Sequence, residues 1–341
     1  MDEPTKGAKI VVIGGGTGSF VVLSGLKNYA QDITALVNMA DDGGSTGQLR
    51  DELGVLPPGD VRQCLVALSQ SPKVRDLFNY RFDEGSFNGH AFGNLFLAAL
   101  EKMTGSFAKA VEMADEILNV RGKVLPITLD DVILTAKDER KTIKGEFEIA
   151  HYKFSQSMSK VKLSVEKKSN SLIKSPKINP AAEQAIREAD MIVVSPGNLY
   201  GSLAPALLVD GVGKALRETS ARRVYICNLV TKPGQTDGFK IHDFASEVER
   251  LAGGEFLDYV IYNVHQPSRK LLEKYAADGE LPVEINSSAL KNAHYKAKGA
   301  ELLAGEIWQN PNKKDPIAKR RTLIRHDPNA VARAIMKLYF S

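Results

Sequence analysis

A β-branched run that stops abruptly at a cluster of glycines does most to limit the folds open to this chain. Ala8 to Ile13 is followed by Gly14, Gly15, Gly16, Thr17 and Gly18, and then by a helix-like stretch from Phe20 to Tyr29. This is the pattern of strand, tight loop and helix. A second apolar run, Ile33 to Asn38, follows closely. Together they predict a βαβ unit with parallel strands, the helix supplying the crossover. The same rhythm returns after Asn179, with strands expected at Met191 to Ser195, Arg223 to Asn228 and Tyr259 to Val264. Helices are expected at Pro180 to Ala189, Leu203 to Glu218, Ile241 to Leu251 and Asn329 to Tyr339.

Between these halves the spacing changes. From Asp60 to Val120 it is helical, with Val61, Leu65 and Leu68 on one face and Phe96, Ala99, Leu100 and Met103 on another. From Val124 to Val165 short alternating pieces at Val132 to Leu134, Phe147 to Ile149 and Val161 to Val165 suggest antiparallel strands. The expected architecture is therefore α/β: one doubly wound, mostly parallel sheet with a helical run and a small β excursion inserted at about residues 60–178. We expect a single large domain over residues 1–341. Two domains are the alternative, with Lys167 to Pro176 the nearest thing to a linker.

Composition narrows the function classes. The 341 residues are 43% apolar and 25% charged, ordinary for a chain that buries its own core. A net charge of +4 is too small at this length to make nucleic acid the default partner. The apolar runs are strand-sized, so no membrane span is expected. The first nine residues carry no apolar stretch, and we expect no export signal. Cys64 and Cys227 sit in apolar segments outside any CxxC pair and read as buried thiols of a reduced, cytoplasmic protein. Lys137 to Lys177 carries 11 Lys and Arg against 5 Asp and Glu, which reads as a solvated face in preference to a binding patch.

In an open parallel sheet, ligands sit where strand ends lead into helix N-termini, because exposed amides favour anions there. The loop Gly14 to Gly18 reads as a phosphate loop, with Thr17 adding a hydroxyl. It lacks the third glycine of the dinucleotide fingerprint, where Ser19 stands, and the lysine of a P-loop. The second strand leads into Asn38, Asp41, Asp42, Gly43 and Gly44, and Asp60 follows in PPGD. These acids could hold a divalent cation shared with a diphosphate, or bind ribose hydroxyls; Asp60 could equally cap its helix. His90 and Asn94, in GHAFGN, read as helix caps or as hydrogen-bonding partners of a substrate. Ser195, Gly197 and Asn198 form another glycine-containing turn into a helix, without the GxSxG elbow of a serine hydrolase. Asn228 and Lys232 follow the next strand, Lys232 reading as a phosphate partner or a solvated loop lysine. Arg325, before the last helix, could reach a diphosphate. Together these loops point to a phosphate-bearing nucleotide across the carboxyl edge of the sheet.

Taken in order, GGGTG at Gly14, NMADDGGSTG at Asn38, PPGD at Pro57, GHAFGN at Gly89, SPGNLYGSL at Ser195 and NLVTKPGQTDGF at Asn228 resemble the gluconeogenesis factor (YvcK-like) family. That family lies within the 2-phospho-L-lactate transferase (CofD-like) superfamily. The resemblance implies a Rossmann-like three-layer fold in a cytoplasmic protein needed for normal cell shape and wall synthesis during gluconeogenic growth. It implies a UDP-sugar ligand, notably UDP-N-acetylglucosamine, and a protein partner in wall-precursor synthesis. It also implies Mg2+ held with a nucleotide diphosphate by Asp41, Asp42 and Asp60, with no redox cofactor. The spacing before Asp60 differs from that of the transferases. Two readings stay open: a non-catalytic regulator whose occupancy is the signal, and a magnesium-dependent transferase moving a phosphate-bearing group from a nucleotide diphosphate donor to a hydroxyl. Whether copies of the chain form a homo-oligomer is left open as well.

Overall fold

The computed structural model describes residues 5–155, 160–165, 175–305 and 324–341. Strand β1 (Thr5–Gly14) runs into helix α1 (Gly16–Leu26) and returns as β2 (Ala30–Val37), paired in parallel with β1. Ile10 to Ile13 are buried, as a central strand covered on both faces requires. The chain then passes through α2 (Gly44–Leu53), α3 (Gly59–Leu68), α4 (Pro72–Asn79), a short turn of helix at Gly85–Phe87, α5 (Phe92–Thr104) and α6 (Phe107–Leu118). It re-enters the sheet as β3 (Lys123–Pro126), parallel to β2.

An excursion follows: β4 (Val132–Asp138), β5 (Lys141–Lys144), α7 (Glu146–His151) and β6 (Val161–Val165), with the strands antiparallel in the order β5-β4-β6. The second half brings α8 (Pro180–Glu188), β7 (Met191–Val194), a wide helical turn at Leu199–Leu203, α9 (Ala204–Leu207), α10 (Val212–Glu218) and β8 (Arg222–Ile226). It closes with α11 (Ile241–Leu251), β9 (Tyr259–Asn263), α12 (Arg269–Ala277), α13 (Ser287–Lys291), β10 (Lys296–Ala300) and α14 (Pro328–Tyr339).

Among the described residues the main sheet has seven strands in the order β10-β9-β8-β7-β1-β2-β3. Every pairing in it is parallel. Winding starts at β1 and goes one way to β3; it restarts at β7 and goes the other way to β10. Right-handed crossovers then put helices on both faces, making a three-layer α/β fold with its switch point between β1 and β7.

Several expectations are corrected. Val124 to Pro126 is part of an edge strand of the main sheet, so residues 60–178 are not one insertion: α2 to α6 form the crossover from β2 to β3, and only the chain after β3 leaves the sheet. Phe147 to Ile149 is helical, as part of α7. The helix expected over Leu203 to Glu218 is broken before Gly211, whose φ of +104° suits glycine. On α5, Ala99 and Met103 face solvent while Leu97 and Ala98 are buried. Lys296–Ala300 adds an edge strand, β10, that the apolar pattern does not mark. Most of Lys167 to Pro176, and with it part of the basic tract, lies outside the described residues. No described helix is long and apolar enough to cross a membrane, and both cysteines are buried free thiols.

Candidate functional site

The loops after β1 and β7 press together at the switch point. Ser19 Oγ lies 3.0 Å from Ser195 Oγ, and a Cβ added at Gly18 would overlap the Pro196 carbonyl oxygen. Gly18 is thus glycine because another backbone occupies the space of its side chain. Gly16, with φ of +60°, turns the chain from strand into α1. Gly15 caps that helix in an extended conformation without a side-chain hydrogen bond. Gly14 faces Ser195 and Ser19, and Gly15 faces Asp60 and Asn38. Thr17 is exposed at the mouth of the cleft.

Beside this junction lies a cavity of about 280 Å³, close to the lower end of small-molecule pockets, about 300 Å³. Thr17 and Gly18 line it from the β1 loop, Gly197 and Asn198 from the β7 loop, Asn228 and Lys232 from the β8 loop, and Arg325 from the segment before α14. Two of these also brace the loops. Asn198 Oδ1 accepts the Tyr200 and Gly201 N–H groups at 3.2 and 3.1 Å. Asn228 donates to the Gly197 carbonyl at 2.7 Å and accepts the Tyr225 hydroxyl at 3.1 Å. Ser195 is fully buried and offers no accessible nucleophile. The Lys232 ammonium donates to the Ala150 carbonyl; burial lowers its pKa, against the opposing charges of Glu146 and Glu280. His326, also in the lining, is pulled down to about 4 by burial while its Nε2 stands 3.2 Å from the Cys227 carbonyl.

An acidic cluster adjoins the glycine loop. Asp60, only 8% exposed, lies in the first turn of α3, accepts the Gly16 N–H and bonds the Asn38 side chain; burial and then the Asp41 charge push it up to about 7. It is therefore not an N-cap: Pro58 holds that position. Asn38 is buried, its Oδ1 taking the Ala40 N–H at 2.9 Å. Asp41 accepts the Gly43 N–H at 3.0 Å, and burial raises its pKa. The β excursion adds Glu146, whose Oε1 stands where a side chain at Gly201 would begin. Burial and the charges of Asp41, Asp60 and Asp42 raise it to about 8. Glu146 lies in no loop that the spacing singled out; the glycine before it, Gly145, whose φ is +95°, is the one local signal.

Asp42 has a structural task beside its expected one. Its two oxygens accept the N–H groups of Glu146 at 3.1 Å and Phe147 at 2.7 Å, so it anchors the start of α7. Gly43 and Gly44 open α2, Gly43 lying against the Phe147 ring. Magnesium commonly takes one or two carboxylates and completes its shell with phosphate oxygens and water. Asp41 and Asp60 fit that pattern in charge and proximity. Among the described residues, no three His, Cys, Asp or Glu side chains stand close enough to hold an ion by themselves.

His90 and Asn94 are also moved. Both are buried and lie outside the cavity lining. His90 Nδ1 lies 3.0 Å from Ser45 Oγ. Asn94 donates to Ser45 Oγ at 3.3 Å and accepts Arg62 Nε at 2.9 Å. Their network fixes α2, α3 and α5 behind the acidic loop.

Fold and site together define a doubly wound α/β protein whose strand-end loops form a cleft suited to anions beside a cluster of carboxylates. The family model for the 2-phospho-L-lactate transferase CofD matches residues 10–303. The protein named "Gluconeogenesis factor" from Bacillus subtilis is 38% identical over 335 residues, covering 97% of this chain and 98% of that one. One of the same name from Halalkalibacterium halodurans is 38% identical over 338 residues, covering 97% of each. A crystal structure of a protein from Bacillus halodurans superposes with a TM-score of 0.85 at 36% identity, over 97% of this chain and 100% of that one. The chain belongs to the gluconeogenesis factor family, within the wider CofD family.

Proposed function

We propose that this chain binds a nucleoside diphosphate sugar at the β1/β7 switch point, UDP-N-acetylglucosamine being the candidate that the family resemblance favours. It acts as a regulator whose occupancy is the signal, in the cytoplasm, serving cell shape and wall synthesis during gluconeogenic growth through a protein partner. The observation that carries this reading is the convergence of Thr17, Lys232 and Arg325, from three separate segments, on one cavity beside a helix N-terminus. A hydroxyl, an ammonium and a guanidinium are the donors a diphosphate requires. Asp41 and Asp60 would hold Mg2+ against the phosphates, neutralising charge that would otherwise repel the acidic cluster.

The adjoining carboxylates favour a second reading, a magnesium-dependent transferase of the CofD type. Phosphoryl-type chemistry depends on positioning and charge neutralisation more than on a protein nucleophile. Calorimetric titration with UDP-N-acetylglucosamine, with and without magnesium, followed by chromatography of the ligand, separates the two. Intact nucleotide sugar is expected; release of UMP, the nucleotide left when the phosphate-bearing group is transferred to a hydroxyl or to water, would overturn the regulator reading. Thr17→Val should weaken binding and leave the melting temperature unchanged, because the hydroxyl is exposed; unaltered affinity would disconnect this loop from the ligand.

A further inference from the structure

Helix α7 is tied down at both ends by strand-end loops of the main sheet. At its start the two Asp42 oxygens take the Glu146 and Phe147 N–H groups. At its end the Gln235 amide donates to the Ile149 carbonyl at 2.8 Å and reaches those of Ala150 and Tyr152 at 3.4 and 3.3 Å. The Lys232 ammonium donates to the Ala150 carbonyl, and the Phe154 N–H donates to the Gly234 carbonyl at 2.9 Å. Asp42 follows β2 and Lys232 follows β8, strands on opposite sides of the switch point. The helix therefore bridges the two arms of the site. Six residues are too few to hold helical structure alone, so these anchors decide where α7 sits.

Lys232 belongs to both structures: it anchors α7 and it lines the cavity. A phosphate oxygen is a far stronger acceptor for an ammonium than a neutral carbonyl. On the reading that a diphosphate occupies this cavity, we propose that α7 is a strap that gives up one of its C-terminal anchors on binding: Lys232 leaves the Ala150 carbonyl for a ligand phosphate oxygen. Occupancy then loosens the chain from Ala150 to Phe154, next to the three-stranded β4–β6 sheet. The occupied protein presents a different outer face there, which is what a signal carried by occupancy needs.

Hydrogen exchange of the 146–154 segment tests this in two arms. In ligand-free protein, Lys232→Met and Gln235→Ala should each speed exchange of the Tyr152 and Phe154 amides by roughly tenfold, with β4 protection unchanged. Wild-type protection in both variants overturns the strap. In wild-type protein saturated with UDP-N-acetylglucosamine and magnesium, as judged by calorimetry, the same amides should speed up. Slower or unchanged exchange at saturation overturns the exchange of Lys232. Absence of calorimetric binding overturns the nucleotide-sugar reading and the exchange with it, while the ligand-free arm still decides the strap.

Discussion

At the scale of single residues, two features set the site: a glycine chosen by contact and carboxylates chosen by burial. A methyl group at Gly18 would overlap the Pro196 carbonyl oxygen, and two backbones at a sheet's switch point have little room to give. Gly18→Ala should lower unfolding stability by about 3 kcal/mol or more, read from urea midpoints. Asp60 and Glu146 titrate at about 7 and about 8 in the folded chain, above their ordinary values. The folded state thus holds more protons than the unfolded one through that window. Stability is full below about pH 4 and falls as pH rises through about 7 and 8, by up to about 1.4 kcal/mol per pH unit for each group. Glu146→Gln should therefore raise the melting temperature at about pH 8 and leave it unchanged near pH 4. Magnesium, which favours the charged carboxylates, should flatten the wild-type curve. The residue patterns mark Asp41, Asp42 and Asp60 as candidates, but they cannot show that Asp42 also anchors α7.

Among the elements, helices with strong end signals are read accurately. Ile241 to Leu251 is found at the expected limits, and α14 begins one residue early because Asp327 caps it, taking the Ala330 N–H at 2.6 Å. Asp327→Ala should cost about 1 kcal/mol, measurable by thermal or chemical denaturation, and should also disturb the cavity through Arg325 and His326 upstream. Short elements fare worse. Phe147 to Ile149 alternates over three residues, a span in which strand and helix patterns coincide; Asp42, more than 100 residues away, decides for the helix. Strand β10, Lys296–Ala300, has a mostly exposed sequence of lysine, alanine and glycine. An edge strand of that kind carries no apolar alternation to betray it, its charges serving to discourage further pairing.

In the molecule as a whole, the strand order β10-β9-β8-β7-β1-β2-β3 turns loops far apart in the chain into neighbours. A ligand gripped by several of them binds only the folded state. At a hundredfold excess over its dissociation constant, it should stabilise the fold by about 2.7 kcal/mol; a thermal shift with UDP-N-acetylglucosamine and magnesium, absent with uridine alone, would be the signature. The chain's own residues determined the α/β class, the parallel pairing of the first two strands, the strand-end loops and the family, because β-branched runs, glycine turns and helix caps are local signals. Tertiary structure alone decided that Val124 to Pro126 joins the main sheet, that His90 and Asn94 are bound up in an internal network, and that Glu146 reaches the acidic loop. Those outcomes depend on which distant groups satisfy a buried donor or charge, and no local pattern of side chains encodes that pairing.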